Sequence, residues 1–255
     1  MGSASALGAH IILGFGLLEA LSPAIVSATT DIDPQTAVKS NLLFLVEIQK
    51  TDNSGAEIRS CTGALISPLD VITAGDCVDV ANASNVNVLT GALLGQGSRV
   101  VHAAQTVMRH PKYVIVNGAA NVNFNFDVSL VRLKEALVLG TQASTIALTS
   151  PGARAAVGAN ITVAGFGIYD WGEDDNGKPR LKQGQIMNSV VCGNQMLANI
   201  TPEEFCVSNP PDNGNSGCPA FIGNVLYGIM SWGSTVFVDV AEPEINTFIS
   251  MNIKV

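Results

Sequence analysis

Gly214-Asn215-Ser216-Gly217-Cys218-Pro219 sets a serine between two glycines. Such a turn can leave a hydroxyl exposed while backbone N–H groups converge beside it, which is what acyl transfer needs around a developing oxyanion. Glycine, asparagine and serine also gather in ordinary loops, so the hexapeptide decides nothing alone. Its reading depends on two stretches upstream. Ile72-Thr73-Ala74-Gly75-Asp76-Cys77 closes one apolar run, and Asn125-Phe126-Asp127-Val128-Ser129-Leu130-Val131-Arg132-Leu133 opens another.

Around these stretches, short runs of β-type residues alternate with turn signals, the pattern of an all-β barrel or sandwich. The runs are Leu42–Gln49, Ile58–Ile66, Asp70–Thr73, Val86–Thr90, Arg99–Met108, Val128–Leu133, Ile161–Phe166, Gln185–Val191, Ala220–Ile222 and Val225–Trp232. Thr29 to Ser40 reads as a polar, extended lead-in, and Asp170–Pro179 as a long polar loop. One helix is predicted in the mature chain, over about 243–252. Pro243 stands in its first turn, and Ile245, Phe248, Ile249 and Asn252 follow at helical spacing.

Composition narrows the function. The 255 residues are 47 % hydrophobic but only 13 % charged, which suits one large β-rich core. The formal net charge of -8 is the wrong sign for nucleic acid or an anionic membrane as partner. Residues 1–28 read as a secretory signal: Ile11–Leu18 is too short to span a bilayer, and Val26-Ser27-Ala28 offers a small-residue cleavage site. The mature chain is therefore expected to be secreted and extracellular. Its cysteines, Cys61, Cys77, Cys192, Cys206 and Cys218, allow two disulfides with one left over. Cys218 is either a small buried hydrophobe or the donor of an intermolecular disulfide. No cysteine or histidine pair has zinc-site spacing, and Asp76 with Asp127 offers too few oxygens for a cation, so neither metal nor cofactor is expected. Asn82, Asn160 and Asn199 head sequons for glycosylation.

The three opening stretches together resemble the trypsin/chymotrypsin-like serine protease family, whose corresponding motifs read T-A-A-H-C, D-I-A-L-L-x-L and G-D-S-G-G-P. Cys61-Thr62-Gly63-Ala64-Leu65-Ile66, Arg109-His110-Pro111-Lys112-Tyr113, Gly165-Phe166-Gly167 and Tyr227-Gly228-Ile229-Met230-Ser231-Trp232-Gly233 resemble further family motifs. The resemblance implies two antiparallel six-stranded Greek-key β-barrels, over about 41–140 and 141–240, with a C-terminal helix. It implies disulfides Cys61–Cys77 and Cys192–Cys206, whose spacings of 16 and 14 match two of the family's. Ser216 falls at the nucleophile, Asp127 at the orienting acid, and the N–H groups of Gly214 and Ser216 at the oxyanion hole. Ser231, Trp232 and Gly233 fall along the substrate cleft.

Asp76 stands where the family carries its general-base histidine. A carboxylate with an ordinary pKa near 3.9 is too weak a base for a serine hydroxyl, and it cannot relay a proton as imidazole does. His10 leaves with the signal, His110 belongs to its own motif, and His102 sits in a β-type run. Asn215 replaces the aspartate that pairs with the family's freed N-terminus, and Thr30-Asp31-Ile32-Asp33-Pro34 lacks the activation sequence. Asp212 stands where a pocket cysteine is usual, and Pro210 and Pro211 fall near the specificity residue, so the pocket is expected to be reshaped. The expected function is a catalytically inactive homologue acting by protein binding, as decoy, inhibitor or cofactor in a protease or defence pathway. The rival is an active endopeptidase using Ser216 with another base.

Overall fold

Leu42 to Ile48 is an apolar run interrupted only by Glu47, and every residue of it is buried. A strand buried on both faces has this character, and here it enters the wall of a barrel. The computed structural model of the chain describes residues 30–78, 80–94, 98–114, 124–166, 179–209 and 216–254. The proposed signal 1–28, residues 210–215 and most of the polar loop at 170–179 lie outside them.

Six strands close the first barrel: β2 (Leu45–Thr51), β3 (Glu57–Leu65), β4 (Asp70–Thr73), β5 (Val86–Thr90), β6 (Val100–Arg109) and β7 (Ser129–Leu133). Their order around the wall is β2-β3-β4-β7-β6-β5, all antiparallel, with β5 returning to β2. This is one of the two six-stranded antiparallel barrels expected. Closure leaves no unpaired strand edge, so every strand is held on both sides.

The second half differs from expectation. β1 (Thr30–Asp31), β8 (Ala147–Leu148), β9 (Asn160–Gly165), β10 (Arg180–Gln185), β11 (Glu204–Cys206), β12 (Pro219–Ile222), β13 (Val225–Trp232) and β14 (Val236–Asp239) form one eight-stranded sheet. Its main path runs β1-β10-β9-β12-β13-β14-β11, and β8 pairs with β13. The sheet curls but does not close. β1 takes the edge of β10 at Arg180 and Leu181, so β11 meets only the chain beyond that strand. There one bridge, Ile186 with Val207, spans the seam, supported by N–H donation from Met187 to the Cys206 carbonyl and from Ser208 to the Gln185 carbonyl, both 2.9 Å.

Two further corrections concern helices. The lead-in contains α1 (Pro34–Lys39), started by Asp33, whose carboxylate accepts the Thr36 N–H at 2.8 Å. The strand expected over Gln185–Val191 ends at Gln185, and α2 (Ser189–Met196) follows. Asn188 caps it by accepting from the N–H groups of Val190 and Val191. The Cys192–Cys206 disulfide then ties it to β11. Cap and disulfide outweigh the β propensity of two adjacent valines, both of which are exposed. The expected C-terminal helix is α3 (Pro243–Asn252), capped by Glu242, with Ile245 and Ile249 buried.

One core joins the two halves. Buried residues of the barrel share a continuous cluster with Phe221, Leu226, Ile229, Val238, Ile245 and Ile249. Phe44 and Phe221 meet edge to face across it, with ring centroids 5.2 Å apart.

Candidate active site

β4 ends at Thr73, and the chain turns through a short 3-10 helix, Gly75–Cys77. The turn is pinned at both ends of its chemistry. Cys77 bonds Cys61 on β3, with a Cα separation of 6.0 Å. The N–H groups of Gly75 and Asp76 both donate to Asp127 Oδ1, at 2.6 and 3.2 Å. Gly75 suits that approach, since a Cβ there would lie 2.8 Å from the same oxygen and 2.9 Å from the Tyr113 ring.

Asp127 sits just before β7 and is 1 % exposed. Its second oxygen accepts from Ser231 Oγ at 2.6 Å. Burial, and then the neighbouring Asp76 charge, push its carboxyl up to about 7 against the downward pull of the hydrogen bonds from Ser231, Gly75 and Asp76. Burial likewise raises Asp76, opposed by the charges of Arg59, Arg109 and Lys50. Tyr113 is raised by burial and then by the two carboxylates.

Ser216 comes to this cluster on a turn that Gly217 continues. Its carbonyl accepts the Thr62 N–H at 3.1 Å, and the Gly217 N–H donates to the Met230 carbonyl at 2.9 Å. Gly217 has φ +81°, and a Cβ there would fall 2.0 Å from the Thr62 carbonyl oxygen, so the position is restricted to glycine. Asp76, Asp127 and Ser216 are thus brought together. Gly214 and Asn215 lie outside the described residues, as do Pro210, Pro211 and Asp212.

The residue missing from the sequence reading is Arg59 on β3. Its Nη2 pairs with Asp76 Oδ2 and also donates to Ser216 Oγ at 3.1 Å, while Nε lies 3.3 Å from Cys61 Sγ. A guanidinium carries donors only and stays protonated in proteins. Ser216 Oγ therefore receives a hydrogen bond, and among the described residues no group accepts its own proton. Neither described imidazole is hydrogen-bonded to Ser216. His102 Nε2 bonds Thr90 Oγ1 at 2.9 Å, and His110 stacks on Phe126 and meets Phe248 edge to face. A signal for Arg59 was present: residues two apart on a strand share a face. Arg59 shares one with Cys61, whose disulfide partner adjoins Asp76.

The expected cleft residues divide. Ser231 is buried and turned to Asp127. Trp232 is half-buried, donates Nε1–H to Glu204 at 2.7 Å and lies 6.1 Å from the Phe124 ring. Gly233 is exposed with φ +60°. Cys218 is 0 % exposed, and a Cβ on Gly165 would lie 2.1 Å from its sulfur, so a disulfide to another chain requires this turn to open. The one group of metal-ligand type among the described residues is Cys61, Asp76 and Cys77, and both sulfurs are committed to the disulfide. Asn160 and Asn199 are exposed, whereas Asn82 is half-buried and caps a 3-10 turn through Ser84.

A family model described as Trypsin matches residues 35–251. The chain is similar to putative trypsin-6 of Homo sapiens, 30 % identical over 199 residues, covering 74 % of each protein. It is also similar to a trypsin of Simulium vittatum, 27 % identical over 74 % of this chain and 77 % of that one. Trypsin-10 of Gadus morhua is 29 % identical over 71 % of this chain and 73 % of its own.

Proposed function

Because the chain belongs to the trypsin family, we propose that it is a secreted, non-catalytic serine protease homologue that acts by binding protein at its cleft. Arg59 carries this reading. It stands between Asp76 and Ser216 and donates to both. In a working triad the group beside the serine accepts the hydroxyl proton, and a guanidinium cannot. Loss of the histidine costs a serine protease about 10⁶ in turnover. Asp127 does not substitute for it: its oxygens are engaged by the N–H groups of Gly75 and Asp76 and by Ser231 rather than by Ser216. The two disulfides suit an oxidising, extracellular setting. The roles of decoy, inhibitor or cofactor in a protease or defence pathway all use such a cleft without turnover.

The test is exposure of the purified protein to a fluorophosphonate probe, with Ser216→Ala as control and an active trypsin in parallel. No labelling of the folded protein is expected. Labelling that vanishes in Ser216→Ala would establish a base and overturn the reading in favour of an active endopeptidase.

A further inference from the structure

Lys50 and Arg59 are register partners of β2 and β3, so their side chains leave the same face of the barrel wall. Like charges directly opposite one another repel. In a chain of net charge -8 such a pair is a local exception. Asp76 is the carboxylate on which the charges of Arg59, Arg109 and Lys50 all act. Three cations act on Asp76, whose one carboxyl neighbour, Asp127, is buried, so even with both acids ionised one positive charge is left over beside Ser216. Arg109 is partly committed, donating to the Val78 carbonyl at 2.8 Å with its guanidinium over the Tyr113 ring. The other two have capacity to spare. Arg59 is 41 % exposed, and its Nη1 donors meet no acceptor among the described residues. Lys50 forms no ion pair among the described residues.

We propose that this cation cluster is a docking subsite for an acidic peptide segment of a protein partner, with an Asp or Glu side chain pairing with Arg59 and Lys50. The proposal rests on the reading of the cleft as a protein-binding surface. A guanidinium edge and a nearby ammonium match one or two carboxylates in charge and geometry. A polysulfated glycan fits less well: it needs an extended basic stripe, and here the cations surround Asp76 in an otherwise acidic chain.

Fluorescence anisotropy with fluorescein-labelled hexaglutamate, hexaglutamine and hexalysine tests this on the full protein. Hexaglutamate should bind at least about tenfold more tightly than either comparator, and weaken between about 50 and about 300 mM salt. Lys50→Gln, at a residue with no ion pair to lose, should lower that affinity about threefold, and Arg59→Gln about tenfold. Equal binding of hexaglutamine, or unchanged affinity in Lys50→Gln, would overturn the subsite. Tighter binding of a heparin hexasaccharide that displaces hexaglutamate would overturn the choice of a peptide. Fluorophosphonate labelling of Ser216 would sink the non-catalytic reading and leave the peptide result standing, so the two failures are distinguishable.

Discussion

Asp127→Asn is the perturbation that most directly probes how the site is held. The native carboxyl, enclosed and facing Asp76, is pushed up to about 7 from an ordinary 3.8. In the unfolded chain it ionises near the ordinary value. Below that value both states are protonated. As pH rises from there to about 7 the unfolded state has lost its proton and the native state has not, so stability falls; above about 7 the loss is complete. One group displaced over that interval is worth up to about 4 kcal/mol. Asparagine keeps the shape: its carbonyl can accept from Gly75 and Asp76, and its amide can face Ser231, without the charge. Whatever constant difference the substitution introduces, urea-unfolding free energies should move in the variant's favour by up to about 4 kcal/mol between about pH 4 and about pH 8, relative to wild type. A difference that stays flat over that range would refute the reasoning. A wild type that gains on the variant as pH rises would show that the hydrogen bonds from Ser231 and the two N–H groups outweigh burial.

Two further outcomes follow from the serine turn. Gly217→Ala places a Cβ 2.0 Å from the Thr62 carbonyl oxygen at φ +81°, and should lower Tm by roughly 5–10 °C; a calorimetric Tm within error of wild type would contradict that geometry. The Cys218 thiol, at 0 % exposure, should react with Ellman's reagent only once urea unfolds the chain, and rapid reaction of the native protein would show the turn open to solvent.

The longest strands of both sheets were legible because their apolar runs are long and bounded by turns: Ile58–Ile66 and Val225–Trp232 reappear as β3 and β13 to within a residue at each end. β10 was not, because Arg-Leu-Lys-Gln-Gly-Gln has neither apolar alternation nor β-branched residues; its place comes from pairing along β9. α2 was misread for the opposite reason, since Val190-Val191 carries local β propensity that a cap and a disulfide override. The open second sheet depended on β1 reaching β10, a contact between residues 30–31 and 180–181 that no local pattern encodes.

The site shows where motif reading stops. Asp76, Asp127 and Ser216 could be named because each stands in a recognisable stretch, and what they lack could be named as well. Motifs report vacancies but not what fills them. Arg59 lies 157 positions from Ser216, in a strand segment with no motif of its own. Its side chain joins Ser216 to Asp76, the residue at the histidine position, rather than to Asp127. A histidine at position 76 would accept the hydroxyl proton and donate to Asp127. The guanidinium instead donates to both Asp76 and Ser216, which orders these two side chains and supplies no proton acceptor. Ser216 is thereby held as the acceptor of a guanidinium that also pairs with Asp76, so the serine orders the cleft wall whether or not it reacts.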